Sequence, residues 1–143
     1  MKVQFLTLWI LVTILLCVGR AEDPDLPNVL IVGDSISIGY TNAVAELLKG
    51  KANVSRPKTN CGFSGRGVAN IESWIGEKKW DVIHFNFGIW DTHYLHNGKL
   101  ISDRSKYQPE DLKRRNTTEE YVENLGKIIA VIKTTGAELI WAS

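Results

Sequence analysis

Short apolar runs alternate with amphipathic segments along most of this chain. The run at residues 28–32 is short and continuous, which is typical of a strand buried on both faces of a parallel sheet, and the mainly apolar residues 82–87 and 139–142 predict two further strands. A shorter candidate strand covers residues 52–59. Between the runs, apolar residues recur at helical spacing and predict three helices. These residues are Tyr40, Val44, Leu47 and Leu48, then Val68, Ile71, Trp74 and Ile75, then Tyr121, Leu125, Ile128, Ile129 and Ile132.

The order of these elements, β-α-β-α-β-loop-α-β, predicts the fold class. Alternation of this kind indicates an α/β domain with a parallel sheet, right-handed crossovers and helices on both faces. Thr117 and Glu120 have the spacing of a capping box at the start of the third helix. Residues 91–116 are polar and predict a long irregular loop, which in a compact domain is more often functional than idle.

The first 21 residues have the pattern of a secretory signal peptide. Lys2 supplies the positive start, residues 5–18 are apolar apart from two threonines, and Ala21 is small at the expected cleavage position. The domain would then be residues 22–143, in a secreted, periplasmic or extracellular protein with no stable membrane insertion after cleavage. A membrane anchor is the alternative, although about 20 apolar residues are needed to span a bilayer.

Composition limits the classes of protein that fit. The chain has 143 residues, of which 44% are hydrophobic and 23% charged, so it suits one globular domain rather than a disordered or multi-span protein. Beyond residue 21 there are 15 basic and 16 acidic residues, which argues against nucleic-acid binding. Of the two cysteines only Cys61 lies there, so a disulfide framework is excluded, and no metal or cofactor is expected.

Ser35 stands directly at the predicted turn between the first strand and the first helix. A serine there is exposed, and its backbone N–H lies at a helix N-terminus that favours developing negative charge. That position suits a nucleophile in acyl transfer. The alternative is a serine that only caps the helix. The α/β-hydrolase elbow G-x-S-x-G is not met, because Ser37 stands where the second glycine would be.

Three segments follow predicted strands, at the edge where parallel sheets bind ligands. Residues 33–35 (Gly-Asp-Ser) resemble block I of the SGNH (GDSL-type) hydrolases, residues 60–65 (Asn-Cys-Gly-Phe-Ser-Gly) resemble block II, and residues 88–91 (Gly-Ile-Trp-Asp) resemble block III. The resemblance implies the fold of that family, a flavodoxin-like three-layer α/β/α sandwich with a parallel sheet. Its members are esterases, lipases, carbohydrate deacetylases and some acyltransferases.

The resemblance also implies roles for individual residues. Ser35 would be the nucleophile, and its backbone N–H together with that of Gly65 would stabilise the oxyanion, with Gly62 as the alternative glycine. Asp34 and Asp91 are expected to hold their turns by hydrogen bonds.

Block III departs from the family pattern at Trp90. Family members normally place an asparagine there as a third oxyanion donor. The indole of Trp90 could donate one hydrogen bond in its place. Alternatively, its large ring could form a wall of the substrate pocket.

The family's catalytic base comes from a D-x-x-H motif after the last strand. Asp81 and His84 have this spacing, but His84 lies about 13 Å below the ligand-binding edge and is expected in the core. His93 and His96 lie in the loop at that edge, where they are candidates for substrate contacts or, less favourably, for a substitute base. We therefore expect a domain truncated after its fourth strand, with the base beyond Ser143 and this fragment alone inactive.

The long loop is rich in basic residues, and a solvated loop is their simplest interpretation. The alternative, which is a more specific function, is recognition of an anionic glycan or acyl substrate. The residues are Lys99, Arg104, Lys106, Lys113, Arg114 and Arg115.

The sequence thus predicts a secreted serine ester hydrolase that cleaves acyl esters through Ser35. Its substrate would be a small-molecule or carbohydrate ester, and carbohydrate O-deacetylation is one expectation. Two alternatives stay open: a non-catalytic, glycan-binding domain on the same fold, and an O-acyltransferase that uses the same serine.

Overall fold

The computed structural model describes residues 22–142, so the predicted signal peptide lies outside the described residues. Among residues 22–142, no helix is long and apolar enough to cross a membrane. The elements in chain order are β1 (Asn28–Val32), α1 (Ser35–Leu47), β2 (Asn53–Ser55), α2 (Ser64–Ile75), β3 (Val82–Phe85), β4 (Tyr94–His96), β5 (Lys99–Leu100), β6 (Lys113–Arg114), α3 (Thr118–Thr134) and β7 (Glu138–Trp141).

The main sheet has four strands in the order β2-β1-β3-β7, and all neighbouring pairs are parallel. In register, His84 lies between Ile31 of β1 and Ile140 of β7. The predicted α/β class and parallel sheet are therefore confirmed.

One face of the sheet carries the main core. Side chains alternate along β3, so Ile83 and Phe85 face the same side and are both fully buried. They pack with Leu30 and Val32 of β1 and with apolar residues of α2 and α3. The helix residues of this cluster are Val68, Ile71, Trp74, Ile75, Tyr121, Leu125, Ile128, Ile129 and Ile132.

The other face is covered in part by α1. A groove of about 600 Å³ remains between Tyr40 and Val44 of α1 and the β3 and β7 strands, with His84 and Ile140 in its lining. The sequence pattern placed Leu47 on the buried side of this helix, but Leu47 is 77% exposed. Tyr40, Val44 and Leu48 line the groove at intervals of four, whereas Leu47 lies about 60° around the helix from the middle of that row and faces solvent.

Helix α2 starts at Ser64, earlier than the apolar pattern indicated, and so includes two glycines. A Cβ atom on Gly67 would lie 2.7 Å from Ile128 Cδ1 and 2.8 Å from Phe87 Cζ. Gly67 therefore lets α2 approach α3 and the sheet closely, whereas the sequence suggested a glycine-rich turn.

The sequence predicted an irregular loop over residues 91–116, but part of this segment is regular. Its strands β4, β5 and β6 form a small antiparallel sheet in the order β5-β4-β6. Asn97 and Gly98 connect β4 to β5 with φ angles of 48° and 74°, the backbone that a two-residue hairpin requires. We call these three strands and their connections the small sheet.

Candidate active site

Ser35 is exposed as the first residue of α1, and Asp34 before it is the N-cap. The buried Asp34 carboxylate accepts a hydrogen bond from the backbone N–H of Ile36 at 2.9 Å. The alternative interpretation, in which Ser35 only caps the helix, is therefore wrong. Within residues 22–142 neither its hydroxyl nor its N–H has a hydrogen-bond partner. Both groups are available at the positive end of α1.

Gly33 is in close contact with the side chain of Asn86. A Cβ atom on Gly33 would lie 1.9 Å from Asn86 Oδ1, so a larger residue here would have to displace the Asn86 side chain. The Asn86 backbone N–H donates to the Val32 carbonyl at 3.0 Å, and its side-chain amide lies 3.5 Å from Asp34 Oδ1. Asn86 thus connects the end of β3 to the turn that carries Ser35.

Arg56, the residue directly after β2, supports the same turn. Its Nη2 lies 3.3 Å from the Gly33 carbonyl oxygen, 3.4 Å from Ser37 Oγ and 3.4 Å from the Thr59 carbonyl oxygen. Ser37 Oγ in turn donates to the Asp34 carbonyl at 2.8 Å. These contacts tie the segment before α2 to the Ser35 turn.

The glycines of the second segment differ in what their N–H groups do. Gly62 is buried, has a φ of 68° and donates its N–H to Asn60 Oδ1 at 2.9 Å. Gly65 is the second residue of α2, is half-buried, and has an N–H with no acceptor among residues 22–142. Phe63 covers its other side, because a Cβ atom on Gly65 would lie 2.8 Å from Phe63 Cε2. Of the two glycines, Gly65 has the N–H that is free for an oxyanion.

Asp91 joins the third segment to the second. Its buried carboxylate accepts the Ser64 backbone N–H at 3.0 and 3.1 Å and also the Ser64 hydroxyl. The Asn124 side chain of α3 donates to Ser64 Oγ at 3.0 Å. This network fixes the N-terminus of α2, and hence the Gly65 N–H, relative to the turn after β3.

Trp90 is half-buried, and its indole N–H has no hydrogen-bond partner in the described part of the chain. Its ring centroid lies 5.2 Å from that of His93. The Arg115 guanidinium carbon lies 5.5 Å from the Trp90 ring and 4.8 Å from the Phe63 ring. Trp90, His93, Arg115 and Phe63 therefore form one cluster beside Gly65.

His84 and Asp81 are not a catalytic pair. His84 Nε2 lies 2.7 Å from the Tyr40 hydroxyl on the α1 side of the sheet, where burial lowers the pKa of the imidazole. Asp81 precedes β3 and accepts the Asn28 N–H at 2.8 Å, at the strand ends away from Ser35.

The two loop histidines have different surroundings. His96 belongs to the small sheet, where its ring lies 4.6 Å from that of Tyr107 and contacts Asn97. His93 contacts Trp90, and its Nδ1 is buried without a partner among residues 22–142. Of the described histidines, only His93 touches a predicted site residue.

Sequence reasoning missed the residues that hold these turns together, namely Asn86, Ser64, Arg56 and Asn124. A signal was present only for Asn86, a polar residue within an apolar run. The pattern had marked Arg115 only as one of the basic residues of segment 91–116.

The sequence matches no protein-family model and no curated protein. Two solved structures resemble the chain over 80% of its length. One is TesA, with a TM-score of 0.59 and 17% identity, and the other is the acetyl xylan esterase AlAXEase, with a TM-score of 0.59 and 14% identity. The chain spans 58% and 56% of these two proteins. Residues 22–142 therefore adopt the α/β fold of the SGNH hydrolases, as the three sequence blocks predicted.

Proposed function

We propose that this chain belongs to a secreted serine ester hydrolase of SGNH type, with Ser35 as the nucleophile. The observation that supports this most is that Asp34, and not Ser35, caps helix α1. Asp34 caps the helix and leaves the exposed hydroxyl of Ser35 without a partner among residues 22–142. A serine needed only for structure would use its hydroxyl in the cap.

In the proposed reaction, Ser35 Oγ attacks the acyl carbonyl carbon, and its proton passes to a histidine. The carbonyl oxygen becomes an oxyanion that accepts hydrogen bonds from the Ser35 and Gly65 N–H groups. When the oxyanion collapses, the alcohol leaves with the proton from the histidine. Water then cleaves the acyl-serine by the same steps and regenerates Ser35.

The histidine is proposed to come from outside residues 22–142, as the family's D-x-x-H motif implies. His84 Nε2 contacts the Tyr40 hydroxyl, and His96 Nε2 contacts the Asn97 side chain. His93 is the second candidate, because it borders Trp90 and has an unpartnered Nδ1.

An acetyl ester of a carbohydrate is the proposed substrate class. One of the similar structures is named as an acetyl xylan esterase, and the predicted signal peptide would expose this protein to extracellular polysaccharide.

A fluorophosphonate probe tests the nucleophile in the full-length protein. We expect labelling of the peptide that contains Ser35, and loss of both labelling and acetate release from acetylated xylan in Ser35→Ala. Ser73→Ala is the matched control, since Ser73 is an exposed serine within α2. Labelling that persists in Ser35→Ala would contradict the proposal.

The same experiment separates the alternatives. A glycan-binding domain would bind the polysaccharide without being labelled at Ser35. An O-acyltransferase would be labelled but would pass acetyl groups to an added sugar acceptor in preference to water.

A further inference from the structure

Four of the six basic residues of segment 91–116 differ in what they contact. Lys106 lies 3.6 Å from the Asp103 carboxylate. Arg104 and Arg114 both lie over the Tyr94 ring, at 4.0 and 5.6 Å, within the small sheet. Arg115 differs from these three because its guanidinium contacts the rings of Phe63 and Trp90.

Arg115 is held in place beside the candidate oxyanion site. Its backbone N–H donates to the His93 carbonyl at 2.8 Å, and its Nη1 donates to the Trp90 carbonyl at 3.2 Å. Its guanidinium lies 4.8 Å from the Phe63 ring, and that ring in turn covers Gly65. The side chain is therefore half-buried and ordered by its neighbours rather than extended into solvent.

The charge of Arg115 has no counter-charge in the described part of the chain. No carboxylate lies within ion-pair distance of it among residues 22–142. Asp91, the buried carboxylate of the same turn, is engaged with Ser64. A guanidinium has five N–H donors, of which only the one to the Trp90 carbonyl is used here.

We propose that Arg115 is a specificity residue that binds a carboxylate carried by the ester substrate. An ordered guanidinium with unused donors recognises a carboxylate through two parallel hydrogen bonds. A carboxylate bound there would lie beside Phe63, whose ring covers Gly65 and its proposed oxyanion N–H. This inference rests on the proposed esterase function and adds a preference for anionic substrates.

Matched pairs of esters test the preference and show on which side of the ester the carboxylate lies. For the acyl side, mono-4-nitrophenyl adipate is compared with 4-nitrophenyl hexanoate. For the alcohol side, 4-acetoxybenzoate is compared with its methyl ester. In Arg115→Gln, we expect the ratio of kcat/KM for the anionic ester over the neutral ester to fall roughly tenfold to a hundredfold in one of the two pairs.

Arg114→Gln is the matched control. It removes the same charge from the adjacent residue, whose Nε lies 3.4 Å from the Tyr94 hydroxyl in the small sheet. We expect its ratios to equal those of the wild type, and Arg115→Lys to retain only part of the preference, because an ammonium lacks the planar donor pair. Equal ratios in Arg115→Gln and the wild type, or an equal fall in Arg114→Gln, would overturn the proposal.

A binding measurement keeps this inference distinct from the esterase proposal. The arginine Nε–H signals of the Ser35→Ala protein are followed by NMR during titration with monomethyl adipate, 4-acetoxybenzoate and dimethyl adipate. The Arg115 signal, identified by its loss in Arg115→Lys, is expected to shift saturably with at least one of the two anions and not with the diester. Absence of that shift overturns the Arg115 site. Absence of fluorophosphonate labelling and of hydrolysis of the neutral esters overturns the esterase proposal alone.

Discussion

Asp34 and Ser35 are adjacent in the chain but have different structural positions. Asp34 is buried at the N-cap of α1 and accepts the Ile36 N–H at 2.9 Å, whereas Ser35 is exposed at the first helical position. The Asp34 backbone carbonyl also accepts a hydrogen bond from Ser37 Oγ. The stability of the turn therefore depends on Asp34, and the Ser35 hydroxyl does not contribute to it.

This difference predicts effects of different size for two alanine substitutions. Ser35→Ala is expected to change the free energy of unfolding by no more than about 0.5 kcal/mol, as is usual for an exposed side chain without partners. Asp34→Ala is expected to lower it by about 1–2 kcal/mol, because the cap is lost. Urea denaturation followed by circular dichroism measures both values. A loss in Ser35→Ala as large as that in Asp34→Ala would show that the serine is part of the cap.

The sequence pattern predicted which residues lie at the edge of the sheet, but not the contacts that hold them there. Ser35, Gly65 and Asp91 follow strands, and parallel strands bring their carboxyl ends to one edge, so their proximity follows from the pattern alone. The contact of Asn86 with Gly33 depends on register between β1 and β3, and the hydrogen bond of Asn124 to Ser64 depends on the packing of α3 against α2. Such long-range contacts leave no local periodicity in the sequence.

Asp91 is expected to be essential for the position of α2. In Asp91→Asn, the amide can present only one acceptor to Ser64 and places a donor against a donor. We expect the free energy of unfolding to fall by about 1–3 kcal/mol, the usual cost of leaving a buried polar group unpaired. Chemical denaturation of Asp91→Asn, Ser64→Ala and the double variant gives the coupling energy. Strictly additive losses would mean that the two side chains do not act as a pair.

Trp90 is expected to form a pocket wall rather than an oxyanion donor, because its ring packs with His93 and Arg115. Trp90→Phe should therefore alter the preference between short and long acyl chains more than the rate with acetyl esters. Steady-state kinetics with a series of 4-nitrophenyl esters decides the question. A loss of roughly 10²-fold with every ester would instead indicate that the indole donates to the oxyanion.

The main sheet could be predicted because three of its four strands lie in mainly apolar runs, whereas the small sheet could not. Strands β5 and β6 have two residues each, and neither is buried, so no hydrophobic alternation marks them. The only local signal was the Asn97-Gly98 pair, which favours a two-residue hairpin. This segment is ordered by backbone pairing between the short strands and by side-chain contacts such as that of Arg104 with the Tyr94 ring.

His84 predicts a pH dependence of stability that is independent of catalysis. Burial lowers the pKa of its imidazole below the value in the unfolded chain, which is about 6.5. The unfolded chain therefore binds this proton more readily, so the contribution of neutral His84 is complete above about pH 6.5 and is lost as the pH falls towards the folded-state pKa. The slope is at most about 1.4 kcal/mol per pH unit for one proton.

His84→Gln should remove this dependence, because glutamine does not titrate. Its side-chain oxygen can still accept a hydrogen bond from the Tyr40 hydroxyl. Tyr40→Phe is the control: it removes the hydroxyl that lies 2.7 Å from His84 Nε2 but keeps the ring buried. Since burial and not this hydrogen bond lowers the pKa, Tyr40→Phe should retain the wild-type slope. Urea denaturation at several pH values between 5 and 8 measures the three slopes. An unchanged slope in His84→Gln would assign the pH dependence to another group.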